Sequence, residues 1–231
     1  MKKAICLISG GLDSSVTGYV AKKQGYEIYA ITFNYGQRHI KEMQSAKEIA
    51  KSLKVKKHLL LDIDFKKIGG SSLVDKDIDV EINRDIKDIG KTIPSTYVPA
   101  RNTIFLSIAL AYAESVDADA IFIGVNSVDY SAYPDCRPEF IETFEKLANI
   151  ATKKGVKGKK IKINTPLLHL SKSEIIKKGF QLNVPFEKTW SCYLGKEKAC
   201  GRCESCLLRL KGFKDANKKD PLEYKNLPDW V

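Results

Sequence analysis

The residues of this chain with the plainest chemistry are Ile8, Ser9, Gly10, Gly11, Leu12, Asp13, Ser14 and Ser15. They follow an apolar run from Ala4 to Ile8 that reads as a buried strand, and they precede residues 16–23, which read as a helix. A Ser-Gly-Gly turn between a strand and a helix is a phosphate cradle. Glycine lets backbone N–H groups approach an anion closely, and the helix N-terminus adds unpaired donors and a favourable dipole. The loop is neither G-x-x-x-x-G-K-[ST] nor G-x-G-x-x-G. The simpler use of the same residues is a helix start with Asp13 or Ser14 as N-cap.

A second constellation is Cys192, Cys200, Cys203 and Cys206, spaced C-x7-C-x2-C-x2-C, with Gly201 supplying a turn after the second. Four thiolates so close in sequence can close around one metal, and a closed tetrahedral site is structural rather than catalytic. Zinc is the expected ion. An iron–sulfur cluster is the alternative that the C-x2-C-x2-C spacing leaves open, although nothing else in the chain suggests a redox partner. The surrounding tail reads as loop-rich, so that metal binding would contribute to its folding. Cys6 reads as a small buried strand residue. Cys136 lies in a polar stretch with no adjacent base and stays unassigned.

Three polar clusters follow strands or precede a helix: residues 34–39, 95–102 and 124–139. They offer tyrosine faces for a planar heterocycle, carboxylates for a guanine-like edge and arginines for a carboxylate or phosphate. The candidates are Tyr35, Gln37 and Arg38 in the first cluster and Arg101 and Asn102 in the second. The third adds Asp129, Tyr130, Tyr133, Asp135 and Arg137. Lys172 is a further candidate, either for phosphate charge or as a solvated residue of a helix first turn.

The elements that must position these groups alternate. Strands are expected at 27–32, 57–63, 120–124 and 161–164, and helices at 39–53, 100–115, 138–151 and 171–178, the last opened by a Ser171/Glu174 capping box. Residues 66–91 are weakly patterned and read as a variable insertion with a short helix and a mobile loop. Alternation of this kind implies an α/β fold with a doubly wound, mainly parallel, Rossmann-like sheet, and ligands bind such sheets at the carboxyl ends of the strands. That places the segments after Ser9, Thr32 and Gly124 on one rim. The expected division is a nucleotide- and substrate-binding domain over 1–185 and a zinc-clipped segment over 186–231 packed on it.

Composition sets the bounds. A chain of 231 residues with 43% hydrophobic side chains suits one domain with an appendage. No apolar run approaches the roughly 18 residues that a membrane-spanning helix needs. Met1-Lys2-Lys3 leads straight into the first strand, which argues against a cleaved signal peptide. A cytoplasmic, reducing compartment is therefore expected, with cysteines free of disulfides. The net charge of +11 reads as a basic surface, with direct tRNA binding as the sharper alternative.

The pattern S-G-G-x-D-S resembles the signature of the PP-loop ATP pyrophosphatases, which cleave ATP between the α and β phosphates and adenylate a substrate oxygen. The resemblance implies that Ser9, Gly10, Gly11, Ser14 and Ser15 hold pyrophosphate and that Asp13 positions magnesium or the loop. The segments 33–39, 95–107, 124–140, 190–193 and 200–206 are similar to those of the 7-cyano-7-deazaguanine synthase family. With the loop they span nearly the whole chain, residues 66–91 excepted. That resemblance implies ATP binding by Ile8, Ser9, Gly10, Gly11, Leu12, Asp13, Ser14, Ser15, Val16, Thr17 and Gly18. It also implies one structural zinc on the four cysteines, and Mg2+ entering with ATP. The implied reaction makes a nitrile from 7-carboxy-7-deazaguanine, ammonia and ATP, through an adenylated carboxylate and an amide, on the route to queuosine- or archaeosine-type tRNA bases. Asp13, Arg101 and Lys172 are then the catalytic candidates, with no direct nucleic-acid or membrane partner; the sequence does not give the oligomeric state, although a homodimer is common for small enzymes. Two rivals remain: a tRNA-acting PP-loop enzyme of thiolase or lysidine type, and a non-enzymatic zinc-clipped interaction module.

Overall fold

The computed structural model describes residues 1–37, 40–128, 132–194 and 197–231. It runs β1 (Lys3–Leu7), α1 (Leu12–Lys23), β2 (Glu27–Asn34), α2 (Ile40–Leu53) and β3 (Lys57–Asp62), then, after a long connection, α3 (Arg101–Ser115) and β4 (Ala120–Phe122). α4 (Pro138–Ile150), the single turn α5 (Lys153–Val156), β5 (Lys162–Asn164), α6 (Lys172–Gln181) and α7 (Glu204–Asp215) complete it. The five strands form one sheet in the order β3-β2-β1-β4-β5, and every pairing is parallel. The expected doubly wound α/β architecture is therefore present. The chain leaves β1 towards β2 on one side and reaches β4 on the other, which opens a crevice beyond the carboxyl end of β1.

β1 is apolar from Ala4 onward because both of its faces are covered. Ile5 and Leu7 pack with Ile31 and Phe33 of β2 and with Phe105, Leu106 and Ala109 of α3. Ala4, Cys6 and Ile8 face the other way, onto Ala46 and Ile49 of α2. Cys6 is fully buried, as its place in the strand implied. A third apolar cluster joins Val16 of α1 to Ile175 and Ile176 of α6 and to Phe213 of α7.

Several boundaries move. The first helix begins at Leu12 rather than at residue 16, with Gly11 in extended conformation as its N-cap, so neither Asp13 nor Ser14 caps it. β2 runs on to Asn34. The Ser171 capping box forms with both of its hydrogen bonds, and that helix continues to Gln181. The tail is loop-rich, as expected, but it also carries one helix that the sequence reading did not assign. α7 buries Leu207, Leu208, Leu210 and Phe213 and packs along α6. Its apolar residues lie among cysteines and basic residues, which hid their helical spacing. Residues 66–91 carry no α-helix. They form two short 3-10 turns, bury Ser71, Ser72, Leu73 and Val74, and pair back onto the cysteine segment through an Ile82–Cys203 bridge. Among the described residues, no helix is long and apolar enough to cross a membrane.

Candidate active site

The loop after β1 is knitted by its own serines. Ser9 Oγ and Ser14 Oγ lie 2.9 Å apart, Gly11 N–H donates to Ser9 Oγ, and Ser14 Oγ and Ser15 Oγ both donate to Gly11 O, at 3.1 and 2.7 Å. Ser15 N–H is the first amide of α1 to find an intrahelical acceptor, Gly11 O at 3.1 Å. The amides of Leu12, Asp13 and Ser14 precede it and are left for a ligand. Gly10 has φ +85°, and a Cβ there would lie 2.5 Å from Ala46 N and 2.6 Å from Glu42 O. Only glycine allows the first turn of α2 to close over the loop. Gly124 meets the loop from the β4 side in the same way, with Ser14 N 2.9 Å from where its Cβ would stand.

A cavity opens directly above this loop. Ser9, Gly11, Leu12, Asp13 and Ser14 form its floor, Phe33, Tyr35 and Phe105 one wall, and Thr96, Arg101, Asn102, Tyr133 and Cys136 another. Trp190, Ser191 and Tyr193 close it from the C-terminal segment. Trp190 N–H donates to Gly10 O at 2.8 Å, so the tail is fastened to the phosphate loop itself. The aromatic wall is ordered by its own contacts. Phe33 and Phe105 stack at 4.0 Å, and Tyr35 meets Phe65 edge-on.

Four charged groups reach the cavity beside its floor. Lys172 Nζ donates to both oxygens of Asp13 at 2.8 Å, and the lysine is only 7% exposed. Lys172 is therefore not a solvated first-turn residue. Arg101, at the start of α3, lies over the Tyr35 ring and donates to its hydroxyl at 3.4 Å. Burial opposes the charge on Arg101, but Tyr35, Tyr133 and Asp135 more than offset that and hold it protonated. Glu42, in the first turn of α2, had no place among the candidates from sequence. Desolvation pushes its carboxyl up to about 7, against the pull of Arg101 and a hydrogen bond from Gln37. The helical position of Glu42, directly after the polar cluster on β2, was the signal that could have found it. Arg209 of α7 is fully committed elsewhere. Its guanidinium bonds both oxygens of Asp220, Thr189 Oγ1, Ser191 Oγ and Phe186 O, and so ties the tail to the cavity wall.

The structure brings Tyr35, Gln37, Asn102 and Tyr133 into the cavity with Asp13, Arg101 and Lys172. It does not bring all the candidates together. Asp135 is buried but turned away, accepting the Asn102 N–H at 2.9 Å and so capping α3. Arg137 is exposed, with Nε donating to Pro134 O. Gly10, Ser15, Val16, Thr17 and Gly18 lie beneath the floor rather than in it. Gly18, for example, packs on Leu53 and Ile8. Arg38, Asp129 and Tyr130 lie outside the described residues. Cys136 donates to Asp135 and accepts from Asn102. Burial, reinforced by Asp135, pushes its thiol up to about 12, so it is not a nucleophile at neutral pH.

Cys192, Cys200, Cys203 and Cys206 come together with all four Sγ atoms within 4.8 Å of one another, a group that could hold a metal ion. Backbone N–H groups of Leu194, Cys200, Arg202 and Cys203 donate to Cys192 or Cys200 sulfur at 3.2–3.4 Å, which favours thiolates. Val80, Trp190 and Ala199 pack around the cluster.

Sequence comparison shows which known proteins this chain is similar to. The family model described as queuosine biosynthesis protein QueC matches residues 3–217. A protein of Acetivibrio thermocellus named 7-cyano-7-deazaguanine synthase is 57% identical over 224 residues, 97% of this chain and 98% of that protein. Proteins of the same name from Thermoplasma acidophilum and Citrifermentans bemidjiense are 55% and 54% identical. Each match covers 98% of this chain, with 94% and 99% of the relatives.

Proposed function

The chain belongs to the queuosine biosynthesis protein QueC family, and from that premise we propose that it is a 7-cyano-7-deazaguanine synthase working as an ATP-dependent carbon–nitrogen ligase. Its substrates are 7-carboxy-7-deazaguanine, ammonia and ATP. One observation carries this reading: Leu12, Asp13 and Ser14, whose amides are left for a ligand, and the aromatic, arginine-bearing wall open into the same cavity. A nucleotide phosphate and a planar acid can therefore meet there.

In this reading the amides of Leu12, Asp13 and Ser14 and the α1 dipole receive the pyrophosphate end of ATP. Lys172, held by Asp13, supplies a fixed positive charge beside it. Tyr35, Phe105 and Tyr133 flank the deazaguanine, and Arg101 draws its carboxylate towards the α-phosphate. Catalysis is then mainly positioning and electrostatic stabilisation. The carboxylate oxygen attacks the α-phosphorus and pyrophosphate leaves. Ammonia displaces AMP to give the amide, and a second activation of the amide oxygen, followed by elimination, gives the nitrile. Asp13 is the carboxylate of the loop suited to Mg2+, which neutralises phosphate charge when bound with ATP. The four cysteines fit zinc, because four converging sulfurs with N–H donors leave no open position. We assign that metal to structure, as the clip that keeps Trp190, Ser191 and Tyr193 against the loop.

Oxygen-18 in the substrate carboxylate tests the pathway. Both labelled oxygens should be recovered in AMP, one in each of two molecules per nitrile. Label released as water, or retained in a stalled acid, would exclude it.

A further inference from the structure

We propose that Glu42 is the group that receives ammonium in the cavity and takes its proton, so that free ammonia attacks the activated carboxyl. This rests on the ligase reading above and deepens it, because that reading leaves the amine without a base. Ammonium is the predominant form near neutral pH and has no lone pair to donate. A proton acceptor must therefore lie beside the reacting carbon.

The cavity offers one. Among the described residues that line it there is no histidine, and there are two carboxylates, Asp13 and Glu42. Asp13 is engaged at both oxygens by Lys172. Burial keeps the Cys136 thiol and the Tyr35 phenol neutral, each pushed up to about 12. Glu42 remains. It stands in the first turn of α2, whose backbone rests on Gly10, at the boundary between the phosphate loop and the Tyr35–Arg101 wall. Among the described residues, the groups that face it come from three elements besides its own. Arg101 of α3 favours the carboxylate, Gln37 after β2 donates a hydrogen bond to it, and Tyr35 and the tail's Cys192 lie within electrostatic reach of it. When the substrate's own negative charge engages Arg101, Glu42 is left to take a cation. Desolvation raises its carboxyl to about 7, which matches a base to its working pH.

The step balances. The Glu42 carboxylate forms an O–H bond to one ammonium proton, and the freed nitrogen lone pair forms the C–N bond to the acyl adenylate. The C–O bond to AMP breaks with its electron pair on AMP. The surplus proton on the adduct nitrogen and the one on Glu42 pass to solvent, leaving the neutral amide.

The test is Glu42→Gln with two assays. ATP–pyrophosphate exchange with 7-carboxy-7-deazaguanine, without ammonium, reads adenylation alone. Amide and nitrile formation against total ammonium reads the amine step. The expected result is exchange retained and kcat/KM for ammonium reduced about 10²-fold near neutral pH. That deficit should shrink in alkaline buffer as free ammonia becomes abundant, and Glu42→Asp should restore part of the activity. Equal losses in both assays, or a deficit that does not change with pH, would overturn the proposal. Absence of exchange in the unaltered protein would instead overturn the ligase reading itself. The unaltered protein gives a second reading, with kcat/KM for ammonium falling below about pH 7 while exchange does not.

Discussion

Replacing Lys172 with methionine should separate what the Lys172–Asp13 pair does for the fold from what it does for ATP. The two contacts of 2.8 Å join a lysine and an aspartate whose side chains are 8% and 19% exposed. At an effective dielectric of about 20, that separation corresponds to a gross attraction of about 6 kcal/mol, part of which desolvation consumes. Breaking one side of a buried pair costs about 3–5 kcal/mol, and the partial exposure of Asp13 argues for the lower end. A loss of about 3 kcal/mol in a chain of this size lowers Tm by about 6–12 °C. Asp13→Asn should cost a similar amount. The double variant should be more stable than the sum of the single losses implies, with a coupling of about 1–3 kcal/mol, because neither charge is then left alone. ATP–pyrophosphate exchange should stay lost in all three. Denaturant unfolding and exchange, measured on the same preparations, decide the matter. Strictly additive stabilities would refute the pair as an energetic unit. Recovery of exchange in the double variant would refute its role towards ATP.

Gly10→Ala should destabilise by about 1–2 kcal/mol from the left-handed backbone and about 1–3 kcal/mol from overpacking against α2, and weaken ATP binding, as read by melting and by nucleotide titration. Metal analysis should find one zinc per chain, and Cys203→Ser should lower that content and reduce Tm by on the order of 10 °C or abolish cooperative melting. Cys136 should react slowly with a thiol reagent at neutral pH in the folded protein and quickly after denaturation, because its neutral thiol persists to about pH 12. Glu42→Gln should be at least as stable as the unaltered protein above about pH 7. An acid whose folded value is raised costs stability as pH climbs from its unfolded value through its folded one, and glutamine carries no such cost.

Local pattern made much of the fold readable. β1 and its turn are contiguous in sequence, and the alternation of strands and helices follows from periodicity that each segment carries by itself. The cysteines could be grouped because their spacing is short. What was hidden depends on distant partners. α7 is buried against α6, so its apolar residues need no regular polar counter-stripe, and cysteines interrupt its first turn. Leu73 and Val80 lie in a weakly patterned stretch and acquire a role only when the chain folds back onto the cysteines and the cavity. Glu42 looks like any solvent-facing helical glutamate until α2 is laid across Gly10. Asp135 and Arg137 failed in the opposite way. They stood in a polar cluster beside the site, but a 3-10 turn (Pro134–Cys136) aims Asp135 at the start of α3 and leaves Arg137 outside the cavity.

The most direct measurement is mass-spectrometric product analysis of the metal-replete protein with 7-carboxy-7-deazaguanine, ammonium and Mg-ATP. The account predicts 7-cyano-7-deazaguanine, with two AMP and two pyrophosphate for each nitrile formed. ADP and inorganic phosphate as the nucleotide products, or AMP without amide or nitrile, would contradict it.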